Sequence, residues 1–277
     1  MSFRLYRFAL AVLLLGGICV QAPAAVFELG GSPVADRELS RALYQPIMEL
    51  LSRETGETFV YVHSDTPIEY RAAMQSGRFH LAWDDAHFAS WRIDMRNHAP
   101  LVRINRETRF VAIVAKNGII FSKEDLVGRT VCGPAPPALA TLAFLGKFDG
   151  LFQVPRIQPS ADPLDRVQNL LIGRCDAALL ARHVYAGSTE IRGVAGQLRI
   201  VTETDAFPGA TLTAAPDVPA ELRAQIRAVL LSRSGGRATR ALRERLAAGS
   251  SLVEAEPEDY DGLHERLLLR DYPGFSE

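Results

Sequence analysis

Two carboxylates and an imidazole fall within four residues of the segment Phe79-His80-Leu81-Ala82-Trp83-Asp84-Asp85-Ala86-His87-Phe88. Ionised Asp84 and Asp85 can only accept hydrogen bonds, and the His87 ring can donate or accept, so the set suits a cationic or hydroxyl-bearing small molecule. With a further ligand it could hold a metal, but no fourth residue appears at a recognisable spacing, and no metal is assigned. Neighbouring aspartates at a strand end diverge, which does not suit an acid/base pair flanking a substrate. The competing reading is structural: either aspartate caps the helix that follows, and His87 packs on its first turn. Trp83 is likewise a ligand platform or a core residue.

Other candidates are dispersed. Ser32 ends a first strand and serves a cleft or a turn. Arg182 and His183 follow the strand around Cys175 and offer positive charge at a strand's carboxyl end, with Arg109 a weaker third. Cys132 and Cys175 form a disulfide if their Cα atoms come within about 7 Å, and otherwise are two buried thiols. The chain carries no Gly-x-Ser-x-Gly, no His-Glu-x-x-His and no phosphate-binding glycine loop, so no catalytic residue and no cofactor is assigned and the protein is read as non-enzymatic.

The elements that must position these residues are legible in order. Arg4 and Arg7 precede an apolar run from Phe8 to Leu15, and Ala22-Pro23-Ala24 follows as a cleavage site, the pattern of a secretory signal over residues 1–24. Its removal takes two arginines and no acid, moving the formal charge from −1 to −3. Nothing there attracts nucleic acid. The 277-residue chain as a whole, 48% hydrophobic and 23% charged, is of ordinary globular composition and long enough for two domains.

Strands are expected at Val26–Gly30, Thr58–Val62 and Phe79–Trp83, alternating with helices. The first helix carries Leu39, Leu43, Ile47, Leu50 and Leu51 on one face, is kinked or restarted at Pro46, and stops at Gly56. The second opens on Thr66-Pro67-Ile68-Glu69, a capping box with proline at the first helical position. Such alternation predicts a parallel sheet with helices on both faces. Strands at Pro100–Ile104 and Arg109–Ala115 lead to a second set: strand Thr130–Gly133, helix Ala138–Leu145, strand Val154–Ile157, helix Pro163–Ile172, and a strand around Cys175. Strands at Leu198–Thr202 and Ala210–Ala214 follow, and from Ala220 onward the chain reads as helical.

Leu50-Leu51-Ser52-Arg53-Glu54-Thr55-Gly56, Phe79-His80-Leu81-Ala82-Trp83, Glu124-Asp125-Leu126-Val127-Gly128-Arg129-Thr130-Val131 and Gly173-Arg174-Cys175-Asp176-Ala177-Ala178 occur in this order. Together they resemble the type II periplasmic substrate-binding proteins of the phosphate/phosphite/phosphonate transporter family. The resemblance implies an α/β fold of two lobes, each a mostly parallel sheet flanked by helices. Two crossing segments would join them, near Phe110–Lys116 and Thr202–Phe207. Lobe 1 would comprise 25–112 and 206–277, and lobe 2 residues 113–205. It also implies a cleft aromatic at Tyr44 and an anion-binding helix start at Ala138-Leu139-Ala140-Thr141. Here the family's Ser-Thr-Ser run is replaced, leaving one hydroxyl. The family's histidine falls at Asp162 or Pro163, and its aromatic after Trp83 is Asp84. An anion would meet like charge at Asp84 and Asp85, which argues against phosphate or phosphonate.

The expected protein is therefore an exported, monomeric solute-binding component of the periplasm. It would close on a small molecule between its lobes and deliver it to the permease of an ABC transporter. The alternative on the same fold is a periplasmic sensor or assembly factor that binds a signalling ligand or a protein partner.

Overall fold

The computed structural model describes residues 25–32, 36–148, 153–160 and 162–269; the expected signal segment lies outside them. The first part of the chain runs β1 (Val26–Gly31), α1 (Arg37–Thr55), β2 (Thr58–Tyr61), α2 (Pro67–Gln75), β3 (Leu81–Asp84), α3 (Ala86–Arg96) and β4 (Ala99–Ile104). A second part follows with β5 (Phe110–Ala115), β6 (Thr130–Gly133), α4 (Leu139–Leu145), β7 (Arg156–Pro159), α5 (Pro163–Leu171), β8 (Ala177–Ala181), α6 (Arg182–Gly187), α7 (Thr189–Val194) and β9 (Leu198–Glu203). The chain then returns through β10 (Thr211–Ala214), α8 (Ala220–Leu231), α9 (Arg233–Ala238), α10 (Arg240–Ala247) and β11 (Leu252–Glu254).

Two sheets result: six strands in the order β11-β4-β10-β3-β1-β2, and five in the order β7-β6-β8-β5-β9. Each is parallel where helical crossovers link its strands (β2-β1-β3; β7-β6-β8) and antiparallel at its other pairings (β3-β10-β4-β11; β8-β5-β9). The chain changes sheets between Ile104 and Phe110 and again between Glu203 and Thr211. Thr108 and Phe207 bridge the two passages through reciprocal backbone bonds of 2.8 and 2.9 Å. The first passage thus precedes the expected Phe110–Lys116, of which Phe110–Ala115 is strand β5 of the second sheet.

Several local expectations are corrected. Helix α1 runs unbroken through Pro46. Pro46 and Ala42, whose carbonyl loses its partner, both lie on the solvent side, where water replaces the missing bond. Cys175 precedes β8 instead of lying within it, and Arg182–Val194 forms two short helices that no sequence pattern announced. The segment after Ala220 is not wholly helical, because Leu252–Glu254 adds an antiparallel edge strand beside β4. Three residues carry too little periodicity to distinguish a strand.

One apolar core lies under the first sheet, where Leu43, Tyr44 and Ile47 of α1 meet Leu29, Trp83 and Ile226. A second is shared across the lobes, joining Phe88 and Trp91 of α3 to Leu142 and Phe144 of α4 and to Tyr260, Leu263 and Leu267 near the C-terminus. Burying a side chain of this size contributes about 2–3 kcal/mol. Cys132 and Cys175 are bonded to each other, with Cα atoms 5.8 Å apart.

Candidate ligand-binding cleft

The carboxyl ends of parallel strands in both sheets converge on one cleft, the position where open α/β sheets place ligands. From the first sheet come Ser32 after β1 and Asp84-Asp85 at the end of β3. From the second come Pro134 after β6, Ser160 after β7 and His183 after β8. A cavity of about 640 Å³ lies between them, lined by Ser32, Asp36, Tyr70, Asp85 and Phe88 on one side and by Pro134, Pro137, Ala138, Ser160 and Arg166 on the other. A smaller chamber of about 220 Å³ adjoins it and shares Asp85, Pro134, Ala138 and Arg166.

Neighbouring strands bring Ser32 beside Asp84: β1 and β3 pair with Gly31 opposite Trp83, and the Ser32 amide donates to the Trp83 carbonyl at 3.3 Å. Glycine at 31 has a local reason, since a Cβ there would lie 2.5 Å from the Tyr44 hydroxyl. Asp84 points away from solvent and is fully buried. Its Oδ2 accepts from Arg92 Nε at 2.7 Å, and its Oδ1 accepts from the Tyr70 hydroxyl and from Ser32 Oγ, the latter at 3.0 Å. Arg92 Nη2 also donates to the Tyr70 oxygen at 3.1 Å. Asp84 is therefore neutralised within the protein, which explains why a carboxylate can sit there at all.

Asp85 is different. It occupies the position before α3, yet its side chain makes no capping bond. No ion-pair partner for it occurs among the described residues, and it borders both chambers. Burial, reinforced by the negative charge of Asp84, raises its carboxyl to about 6. It is an incompletely solvated acid with space in front of it.

His87 is fully buried, and its Nε2 lies 2.9 Å from the Pro137 carbonyl oxygen, so the neutral ring donates across the gap between the lobes. Burial lowers its pKa to about 4, against a smaller opposing effect from that carbonyl. His87 does not border the cavity. Neither do Tyr44 and Trp83, which lie in the core behind it with the Tyr44 hydroxyl and Trp83 Nε1 lacking hydrogen-bond partners. Among the described residues no group of three or more His, Cys, Asp or Glu is placed to hold a metal ion.

At the far wall, Ala138 borders both chambers, and Leu139 and Ala140 border the smaller. The Thr141 hydroxyl donates to the Pro134 carbonyl at 2.5 Å and is turned into the protein. His183 borders the smaller chamber, its pKa lowered by burial and then by the charge of Arg106. Arg182 does not; it pairs with Glu203 at 2.5 Å on the surface.

Arg166 and Arg245 were not anticipated. Arg166, in the first turn of α5, is buried and donates to the Ser160 and Leu179 carbonyls at 2.9 and 3.1 Å. The sequence held a signal for it: Asp162-Pro163 caps and opens a helix directly after a strand, so one turn later a side chain faces the crevice. Arg245, on α10, reaches the larger cavity from a helix remote in sequence.

A family model described as "ABC transporter, phosphonate, periplasmic substrate-binding protein" matches residues 29–260. No curated protein sequence matches the chain. Similar solved structures include XAC2383 from Xanthomonas citri bound to ATP, with TM-score 0.68 and 15% identity over 88% of this chain and 96% of that one. PhnD1 from Prochlorococcus marinus in complex with methylphosphonate matches with TM-score 0.68 and 15% identity, over 87% and 96%. A binding protein component of an ABC phosphonate transporter from Pseudomonas aeruginosa matches with TM-score 0.62 and 14% identity, over 87% and 83%. At these identities the structures establish the two-lobed fold, and nothing about the ligand.

Proposed function

The chain belongs to the periplasmic substrate-binding proteins of phosphonate ABC transporters, and from that membership we propose that it captures a small solute in the cleft and delivers it to a membrane permease. The observation that carries the proposal is the cavity of about 640 Å³ walled by strand ends of both sheets. A solute there touches both lobes and thereby favours the arrangement in which they are close, since a ligand shifts an equilibrium by its differential affinity for the two states. The two adjacent passages at Thr108 and Phe207 are the places where such a motion would pivot. The basic and apolar segment before residue 25 supports export, and among the described residues no helix is long and apolar enough to cross a membrane. The protein acts as a monomer in this reading.

The test has two parts. Calorimetric titration of residues 25–277 with a panel of oxyanions, amines and amino acids should reveal saturable binding at one site, with small-angle scattering showing compaction. Deletion of the gene should then abolish cellular uptake of the solute that binds. Normal uptake after deletion would overturn the delivery role.

A further inference from the structure

We propose that the cleft recognises an ammonium group, held by the Asp85 carboxylate and the Ser32 hydroxyl oxygen. The inference rests on the solute-binding reading above and names the chemistry of its ligand.

Proton accounting separates the two adjacent aspartates. Asp84, ion-paired with Arg92, can only accept hydrogen bonds. Ser32 must therefore donate its single proton to Asp84 Oδ1 across their 3.0 Å contact. What Ser32 presents to the cavity is a pair of lone pairs. Asp85, which makes neither a cap nor an ion pair, presents a carboxylate to the same space. Ser32 and Asp85 are thus both acceptors on this wall, and a ligand that satisfies them must bring donors. An ammonium group brings up to three, together with the opposite charge, and has no acceptor to be left unpaired.

An anionic group on this wall would meet Asp85 unscreened and would find no proton on Ser32. The opposite wall has the reverse character. Arg166 borders the cavity from α5 on that side, while Arg245 borders it from α10, which packs with the first sheet. Apolar Leu39, Phe88, Pro137 and Ala138 line the space between. This polarity fits a short zwitterion: a positive end at Asp85 and Ser32, an apolar body of a few carbons, and an acidic end toward Arg166.

Three matched pairs test the requirement by isothermal titration of the mature protein: 2-aminoethylphosphonate against ethylphosphonate, 4-aminobutyrate against butyrate, and β-alanine against propionate. At least one ammonium member is expected to bind 100-fold or more tightly than its partner. Asp85→Asn, verified as folded by circular dichroism and an unreduced melting temperature, should shrink that preference below tenfold. Equal or tighter binding of the members that lack the ammonium overturns the inference and leaves solute capture intact, as does an unchanged preference in Asp85→Asn. Binding of none of the six probes also overturns it, while solute delivery is judged separately by the uptake assay.

Discussion

Arg92 Nε and Asp84 Oδ2 lie 2.7 Å apart with both side chains wholly removed from solvent. This ion pair connects the end of β3 to the middle of α3, and through the Tyr70 and Ser32 hydroxyls it also reaches α2 and β1. It fixes Asp84 inward at the point where Asp85, one residue later, faces the cleft. The pair lies behind the cavity wall and borders neither chamber.

Arg92→Met should destabilise the protein by about 3–5 kcal/mol, because it leaves Asp84 buried without its counter-charge. Chemical denaturation at pH 7 measures it. A loss below about 1 kcal/mol would show that Asp84 is already neutral or solvated. The Arg92→Met, Asp84→Leu double variant should recover most of the loss, since two apolar groups leave no unpaired charge.

Asp85→Asn should stabilise the unliganded protein at pH 7 by about 1–3 kcal/mol. Its folded pKa is raised to about 6 from 3.8. The favourable contribution is therefore complete below 3.8 and is lost as pH rises through 6. The stability difference between variant and wild type should open over that interval. A variant less stable than wild type at pH 7 would mean that Asp85 supports the fold, as a helix cap does.

His87 should act in the opposite direction. Its pKa is lowered to about 4 from 6.5, so the unfolded chain binds the proton first and stability falls as pH drops from 6.5 towards 4. Neighbouring groups that titrate or carry charge are Asp84 and Asp85, and Asp85 shifts stability the other way over much of the same range. Melting curves of His87→Gln from pH 4 to 7 isolate the imidazole: the amide can still donate to Pro137, the gain in stability between pH 4 and 6.5 should be lost, and the opposite slope set by Asp85 should remain. An unchanged profile would place the titration elsewhere.

Reduction of the Cys132–Cys175 bond opens a loop between residues 43 apart in sequence, a constraint worth about 4 kcal/mol in the chain-entropy account. The melting temperature should fall by roughly 10 °C in excess reductant. Two titratable thiols in the unfolded, unreduced protein would show that the bond does not form.

Arg182→Ala should leave ligand affinity unchanged and cost less than about 1 kcal/mol, because its pair with Glu203 is largely solvated. A tenfold loss of affinity would place Arg182 in the binding surface after all.

By itself the sequence determined the alternation of strands and helices and the family, and it singled out the segment Trp83-Asp84-Asp85-Ala86-His87, of which Asp85 borders the cleft. These follow from local rules: apolar periodicity, the Thr66-Pro67 helix start, glycine stops, and landmark order. Tertiary structure decided where each of those residues points. Asp84 and Asp85 are indistinguishable as letters, and only the fold shows that one meets Arg92 while the other meets open space. Likewise Tyr44 and Trp83 turn into the core, Thr141 turns to the Pro134 carbonyl, and Arg166 and Arg245 arrive at the cleft from helices far apart in the chain. Burial, counter-charge and proton donation depend on distances between residues remote in sequence, so a one-dimensional pattern locates a site before it can assign roles within it.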